Sequence, residues 1–202
     1  MGFAELLLLA LVAWTALGVV GIGISGIRGE RDRVMRHLGW IGGVWVAYLA
    51  ILVGVSLRSP QRVVAMGQDR CLGEMCFAVM QVDELRPYTG PNQEADGSRL
   101  LRVSVRVSNK ARGKAESEAL MQAYLVDEQG RTWEEVRGLS GNRLTTRVAA
   151  GESIVSEPVF KVPADASGLE LVFTEGRWQP GVLVIGDSDS WFHRRTVVPL
   201  GR

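Results

Sequence analysis

The stretch RLLRVSVRVSN, residues 99–109, contains the clearest strand pattern in this chain. Leu101, Val103, Val105 and Val107 alternate with arginine and serine, which is the period of two expected for a strand with one buried face. β-branched residues at the apolar positions favour the same extended conformation. We therefore predict a half-buried antiparallel strand here, and the surrounding sequence has to supply its neighbours.

Short strand patterns separated by turns lie on both sides of this stretch. They cover residues 76–85, 119–127, 131–136, 153–163, 169–175, 182–187 and 195–200. Residues 128–130 (Glu-Gln-Gly) read as a hairpin turn. Pro158 cannot donate a ladder hydrogen bond, so its strand is expected at an edge or with a bulge. About seven to eight short strands without helical periodicity predict an all-β immunoglobulin-like sandwich rather than a closed barrel.

Two long apolar stretches precede residue 58. Residues 6–27 contain no charged residue in 22 positions, and residues 38–57 contain none in 20. A helix needs about 20 apolar residues to cross the hydrocarbon core of a bilayer, and neither stretch has the polar stripe of a soluble helix. We predict a two-helix transmembrane hairpin. A cleaved signal peptide is the alternative for the first stretch, although its apolar run exceeds the roughly 7–15 residues of a signal-peptide core.

The arginines between the two stretches predict the orientation of the hairpin. The loop over residues 28–37 contains four arginines, whereas no lysine or arginine precedes the first stretch. Short loops rich in lysine and arginine stay in the cytoplasm, so both termini are expected outside, in the periplasm or on the outer face of the cell membrane. The predicted organisation is a helical region over 1–58, a linker over 59–69 and an extracytoplasmic β-domain over 70–202.

Two cysteines lie just beyond the second apolar stretch. An extracytoplasmic compartment is oxidising, so Cys71 and Cys76 are candidates for a small-loop disulfide. Two free thiols are the alternative. A zinc site is disfavoured because structural zinc needs four ligands.

Composition and motifs argue against several classes of function. From residue 60 onward the sequence holds 18 basic and 19 acidic residues, which disfavours a nucleic-acid-binding protein because such proteins need a concentrated basic face. His193 is the only histidine in that region, and no serine lies in a Gly-x-Ser-x-Gly turn. Nucleophilic catalysis needs a nucleophile, a base and an orienting group together. We therefore expect neither enzymatic activity nor a cofactor.

Three structural motifs lie between residues 103 and 163. They are Val103-x-Val105-x-Val107-x-Asn109, Leu125-Val126-Asp127-x-x-Gly130-Arg131-x-Trp133, and a Gly151-Glu152 turn that leads into Val159-Phe160-Lys161-Val162-Pro163. In these motifs the sequence resembles a widespread bacterial family of extracytoplasmic immunoglobulin-like domains of unknown function, often described as telokin-like. Such domains commonly carry proline before the glycine of the last turn, where this chain has Ala150. The resemblance implies a fold and a location but no functional residue.

The loop over residues 187–195 is the most unusual segment. Asp187, Asp189 and His193 are candidate metal ligands. Candidates for contact with another ligand are Trp191, His193, Arg194 and Arg195. The alternative is an ordinary loop in which aspartate and serine bond their own backbone. The twelve-residue calcium pattern is incomplete because it lacks the glutamate at its last position.

Small residues form a stripe along the second apolar stretch. Gly43, Ala47, Ala50 and Gly54 share one helix face, and small residues let helix backbones approach closely in lipid. The simplest prediction is that the two helices pack on each other through this face. Packing against another membrane protein or a second copy of the chain is the alternative. Neither span contains Asp, Glu, Lys, Arg or His, which disfavours proton or ion transport.

These observations together predict a membrane-anchored interaction module. The hairpin would tether the β-domain in the lipid bilayer, and the domain would bind a protein, a glycan or another envelope component through a sheet face or its loops. An accessory subunit of a membrane protein complex is the first alternative. A ligand or metal sensor that uses the 187–195 loop is the second.

Overall fold

The computed structural model describes residues 2–85, 97–139, 141–175, 180–187 and 189–201. The chain forms two compact units. The first, which we call the helix unit, contains Met1–Pro60 and Arg177–Arg194. The second, which we call the β-domain, contains Gln61–Gly176 and Arg195–Arg202.

Two helices make up most of the helix unit. α1 spans Phe3–Ile27 and α2 spans Arg31–Arg58, and both are long and apolar enough to cross a membrane. Most of the predicted arginine-rich loop belongs to the first turns of α2, because Gly29, at φ 72°, makes the reversal within a few residues. The tight turn keeps the two helices antiparallel and adjacent.

The two helices contact each other through a face that includes large side chains. The indole nitrogen of Trp45 donates a hydrogen bond to the hydroxyl of Thr15 at 3.0 Å. Gly18 allows Ile41 to approach so closely that a Cβ at this glycine would lie 2.7 Å from the Ile41 side chain. A buried apolar cluster lies nearer the N-terminal end of α1 and contains Leu8, Leu11, Tyr48, Leu52 and Val184.

The β-domain is a sandwich of two antiparallel sheets, as predicted. Its strands are β1 Arg70–Leu72, β2 Met75–Leu85, β3 Ser98–Asn109, β4 Gln122–Val126, β5 Thr132–Glu134, β6 Ser153–Ser156, β7 Val159–Pro163, β8 Glu170–Thr174 and β9 Val197–Pro199. One sheet has the order β1-β2-β3-β6, with β7 also paired to β3, and the other has the order β5-β4-β8-β9.

β3 is the central strand of the first sheet and confirms the alternation in the sequence. Leu101, Val103, Val105 and Val107 are buried in the core between the sheets, and the intervening residues lie on the outer side. β3 pairs with β2 on one edge and with β6 and β7 on the other. The predicted strand 153–163 is interrupted at Pro158, whose carbonyl accepts a hydrogen bond from Val103 at 3.0 Å.

The predicted linker is shorter than expected. The amide of Val64 donates to the carbonyl of Val197 at 2.9 Å, and the amide of Val197 donates to the carbonyl of Arg62 at 3.0 Å, which adds residues 62–64 beside β9. Gly67 donates to the carbonyl of Val79 at 2.7 Å. The β-domain therefore begins at Gln61 rather than at residue 70, because the backbone of this segment finds partners in both sheets.

Two further predictions about the domain were wrong. The segment 182–187 is not a strand: Pro180–Leu183 form a 3₁₀ helix, and a turn follows. Residues 177–194 belong to the helix unit, whereas the sequence analysis placed them in the β-domain. Both errors have one cause, which is that the apolar residues of this segment pack against α1 and α2.

Candidate functional site

The first part of the 187–195 loop is a turn in which Asp187 bonds its own neighbours. Its carboxylate oxygen Oδ1 accepts a hydrogen bond from the backbone amide of Asp189 at 2.8 Å, and its carbonyl accepts one from the amide of Ser190 at 3.2 Å. This is the Asx-turn chemistry expected of an ordinary loop. The Asp187 carboxylate therefore has a structural partner in the turn.

The aromatic residues that follow are exposed. Trp191 is 53% exposed and Phe192 is 67% exposed, and Phe192 has a positive φ of 62°. The backbone amide of Trp191 donates to the carbonyl of Val182 at 3.0 Å. The ring nitrogen Nδ1 of His193 lies 2.8 Å from the carbonyl oxygen of Arg194. The loop thus presents two aromatic rings outward while its backbone remains tied to the helix unit.

The loop residues proposed as ligand contacts divide between the two units. Trp191, His193 and Arg194 belong to the helix unit, whereas Arg195 belongs to the β-domain, where its guanidinium lies 5.5 Å from the ring centroid of Tyr124. Over the described ranges, no three His, Cys, Asp or Glu side chains are grouped so that they could hold a metal ion. The metal hypothesis for Asp187, Asp189 and His193 therefore gains no geometric support.

The small-residue stripe of α2 lies outside the contact between the helices. Gly43, Ala47, Ala50 and Gly54 are all exposed, and no atom lies within 4 Å of a Cβ built at either glycine. The prediction that α1 packs on this face was wrong. The hairpin uses instead the face that contains Trp45, because the hydrogen bond to Thr15 and the buried cluster both lie there. Gly43 and Ala47 line an open apolar groove along α2.

Tyr48 is a polar contact that the sequence analysis did not single out. Its hydroxyl donates a hydrogen bond to the carbonyl of Leu183 at 2.6 Å, and the residue is buried. A phenol in an apolar span is a signal in itself, because a buried tyrosine hydroxyl usually has a hydrogen-bond partner. The partner was unpredictable because it lies 135 residues away in the sequence.

The outer side of the five-stranded sheet carries charges of both signs. Asp69 accepts hydrogen bonds from Arg106 at 3.1 Å and from Lys110 at 2.8 Å. Arg102 lies 3.6 Å from Asp83 and 3.9 Å from Glu157. The hydrogen bonds from Lys110 and Arg106 to Asp69 lower the pKa of that carboxyl. We call these six residues the charged sheet face.

A second ionic cluster stabilises the turn between β4 and β5. The buried carboxylate of Asp127 accepts hydrogen bonds from the backbone amides of Gln129 and Arg131, at 3.0 Å and 2.9 Å, and from the Arg131 side chain at 2.7 Å. Burial raises the pKa of Asp127, but the bonds and charge of Arg131 outweigh it, so the pKa is lowered overall. Arg131 also contacts Asp165 at 2.9 Å and lies 5.5 Å from the Trp133 ring centroid.

The cysteine pair closes the hairpin between β1 and β2. Cys71 and Cys76 are directly opposite each other in the ladder and are joined in a disulfide. Cys76 is buried, whereas Cys71 is exposed at the edge of the sheet. The link fixes the short first strand to the long second one.

Comparison with known families gives one match. Residues 64–182 match the family described as DUF4352, a domain of unknown function. The matched region contains the Asp127 turn, the charged face of β3 and most of the sandwich. No curated protein sequence matches the chain.

Several solved structures are similar to this chain at low sequence identity. An uncharacterized β-sandwich protein from Clostridium difficile 630 has a TM-score of 0.45 and 8% identity, over 71% of this chain and 97% of that one. The secreted protein MPT63 from Mycobacterium tuberculosis has a TM-score of 0.44 and 10% identity, over 58% and 92%. The yjhA protein from Bacillus subtilis has a TM-score of 0.41 and 15% identity, over 68% and 98%.

Proposed function

The chain belongs to the DUF4352 family of domains of unknown function, and on that premise we propose that it is a membrane-anchored binding module. In this proposal α1 and α2 cross the bilayer, and the β-domain works outside the cytoplasm. The proposal includes no catalytic step and no cofactor. The observation that carries it is the apolar surface that the helix unit exposes.

The helix unit exposes far more apolar surface than water tolerates. Leu17 is 73% exposed and Val20 is 60% exposed, and only 11% of the apolar window of each helix is buried. A core helix of a soluble protein would be mostly buried, and soluble monomers rarely expose apolar patches larger than a few hundred Å². Lipid is the solvent that makes this surface stable.

The charge distribution supports an orientation for the helices. Arg28, Arg31, Arg33 and Arg36 cluster at the turn between α1 and α2, at the end of the hairpin opposite Phe3 and Arg58. Lysine and arginine in short loops favour the cytoplasmic side. The β-domain follows α2 and would therefore lie in the periplasm or on the outer cell surface, where its disulfide is stable.

The charged sheet face is the surface that we propose for binding. Its arginines, lysine and carboxylates alternate across neighbouring strands, so it presents a fixed pattern of donors and acceptors. Such a pattern suits a polar partner with complementary charges, because electrostatic complementarity favours specificity and a fast association rate. A protein of the cell envelope fits this description better than an apolar small molecule.

Protease protection in intact cells tests the membrane placement. The chain should remain in the membrane pellet after alkaline carbonate extraction, and protease added outside should remove the β-domain. A tag placed after residue 29 in the arginine-rich turn should stay protected until the cells are opened. A chain found in the soluble fraction, or a β-domain protected in intact cells, would contradict the proposal.

The binding surface has its own test. Arg106→Glu reverses the charge next to Asp69 on the proposed face, and Arg147→Glu is a matched charge reversal elsewhere on the β-domain. Chemical cross-linking in cells should capture a partner with the wild type and with Arg147→Glu, and much less of it with Arg106→Glu. Equal capture by all three chains would remove the charged sheet face as the binding surface.

The exposed stripe of α2 favours a second candidate function, which is a subunit of a membrane complex. Gly43, Ala47, Ala50 and Gly54 form a smooth surface that a further helix can approach closely. Gly43→Leu with Gly54→Leu should then release a co-purifying membrane protein in mild detergent, whereas Val12→Leu on α1 should not. Purification of the wild type without any associated membrane protein would argue against this function.

A further inference from the structure

The segment between β8 and β9 contains an apolar element that no part of the proposed function uses. Residues 181–186 read Gly-Val-Leu-Val-Ile-Gly and hold no charged side chain. Val184 is buried, and Leu183 and Ile185 pack against the cluster that contains Leu8 and Leu11. This element lies within the helix unit rather than the β-domain. We infer that residues 180–187 enter the outer half of the bilayer as a re-entrant segment beside α1 and α2.

The inference rests on the proposed membrane placement of the helices, and its first support is depth. Tyr48, which binds the Leu183 carbonyl, lies ten residues before Arg58, or about 15 Å along α2. Leu8 and Leu11 lie about 8 Å and 12 Å from Phe3 along α1. Both helices thus place the segment well below their outer ends, and 15 Å is about half of the hydrocarbon core.

The second support is the return of the chain toward the same ends of the helices. The hydroxyl oxygens of Ser56 and Ser190 are 3.1 Å apart, and both residues are buried. Ser56 lies only about 3 Å along the helix from Arg58. The chain therefore rises from the depth of Tyr48 at residue 183 to the outer end of α2 at residue 190.

The third support is the way in which the backbone of the segment is satisfied. Irregular backbone is tolerated at membrane depth only where its polar groups find partners within the protein. Gly181 and Val184 carbonyls accept from the amides of Val184 and Asp187, at 3.0 Å and 3.3 Å. The carbonyls of Val182 and Leu183 accept from Trp191 and Tyr48. Four consecutive carbonyls thus have protein donors.

The residues that follow the segment have the composition expected where a chain leaves a membrane. Trp191 and Phe192 directly follow Ser190, which contacts Ser56 near the outer end of α2, and both are exposed. Tryptophan favours the interfacial region of a bilayer. Polar residues His193 and Arg194 then follow. Trp191, which the sequence predicted as a ligand contact, becomes in this inference, together with Phe192, the anchor of the segment at the membrane surface.

Thiol labelling of the full chain in proteoliposomes of phosphatidylcholine and phosphatidylglycerol tests the inference. The wild type contributes no reactive thiol because Cys71 and Cys76 are joined. Val182→Cys reports on the segment, Val46→Cys on the outward face of α2, and Leu120→Cys on an exposed position of the β-domain. The probe is a charged, membrane-impermeant maleimide, which does not enter the hydrocarbon core.

We expect Val182→Cys to react about tenfold more slowly than Leu120→Cys and at a rate close to that of Val46→Cys, because a charged reagent is excluded from lipid. Fast labelling of Val182→Cys with protected Val46→Cys would overturn the inference and leave the membrane anchor intact. Fast labelling of Val46→Cys would overturn the anchor itself. The two failures are thus distinguishable.

A cross-link tests the docking of the segment independently. Ser56→Cys with Ser190→Cys should form a disulfide under mild oxidation, because the two hydroxyl oxygens are 3.1 Å apart. Gly54→Cys with Ser190→Cys is the matched control, since Gly54 lies on the exposed face of α2. Equal cross-linking of the two pairs, or none in the first, would overturn the docked arrangement.

Discussion

Valines of α2 and of β3 lie in opposite surroundings. Val46 of α2 is 68% exposed, whereas Val103, Val105 and Val107 of β3 are 0% exposed. The β-domain hides its apolar residues between two sheets and presents charges outside, which is what folding in water requires. In α1 and α2 large apolar side chains are exposed while the backbone is satisfied within each helix, an arrangement that suits the lipid environment we propose. The same residue type is thus exposed in α2 and buried in β3.

The strongest test of this contrast places a charge in the core of the β-domain. Val105→Asp would bury a carboxylate without a partner, at a cost comparable with the roughly 5–15 kcal/mol that stabilises a typical domain. We expect the domain to lose its folded state. Limited proteolysis of the detergent-solubilised chain should cut the β-domain rapidly. Val155→Asp, at an exposed position of β6, is the control and should remain resistant.

The reciprocal test places a charge on the outward face of a helix. An arginine at the centre of a span costs about 2.5–3.5 kcal/mol of insertion free energy. Val46→Arg should therefore reduce the fraction of chain that resists carbonate extraction, while Val155→Arg should leave that fraction unchanged. If both variants behaved alike, the helix unit would not owe its stability to lipid.

A smaller effect is expected from the disulfide, which exists only in the β-domain. Closing a loop of this length stabilises the folded state by about 2 kcal/mol in the chain-entropy description. Replacing Cys71 and Cys76 together by alanine should lower the melting temperature of the β-domain. Dithiothreitol should lower the wild-type melting temperature in the same way and have no further effect on the variant. A wild type that is indifferent to the reductant would refute this role.

The smallest expected effect is the loss of β-domain stability at low pH through Asp127. The pKa of Asp127 is lowered in the folded domain, so its ionic interactions stabilise fully above its unfolded pKa of about 4 and are lost as the pH falls through the lower folded pKa. Asp127→Asn should be less stable than the wild type at pH 7, and the difference should narrow in acid. Urea unfolding at a series of pH values measures this. Asp165→Asn, at an exposed partner of Arg131, is the control and should reduce the stability less than Asp127→Asn at pH 7.

The central strands were predictable because their signal is local. In β3 the alternation of buried and partly exposed residues is fixed by strand geometry, whereas in β8 Leu171, Val172 and Phe173 are all buried. β1 was not predicted because its three residues, unlike those of β5 and β9, do not lie within a longer stretch of strand pattern. The edge position of β6 was predicted from Pro158, since the missing amide donor is a property of proline alone, but the division into β6 and β7 was not.

The 182–187 segment shows where local reasoning fails. A short apolar run has the same appearance in a buried strand and in a buried irregular segment. Leu8 and Tyr48 contact this segment in space but lie far from it in the sequence, so the contact could not be predicted from the sequence. The prediction that α1 packs on the small-residue stripe of α2 failed for a related reason. Small residues predict that another helix can approach closely, but they do not identify which helix. The Asp187 turn was anticipated because Asx chemistry is local.

The parallel addition of residues 62–64 beside β9 has a mechanical consequence. Val197 is held on one side by β8 and on the other by the segment that leads out of α2. A force applied along the chain at residue 61 would load the hydrogen bonds of Arg62 and Val64 to Val197 in shear. Both bonds would then resist the force at the same time instead of breaking one after the other. If the helices are anchored as we propose, a force on the β-domain would load these two hydrogen bonds before it reached the interior of the sandwich.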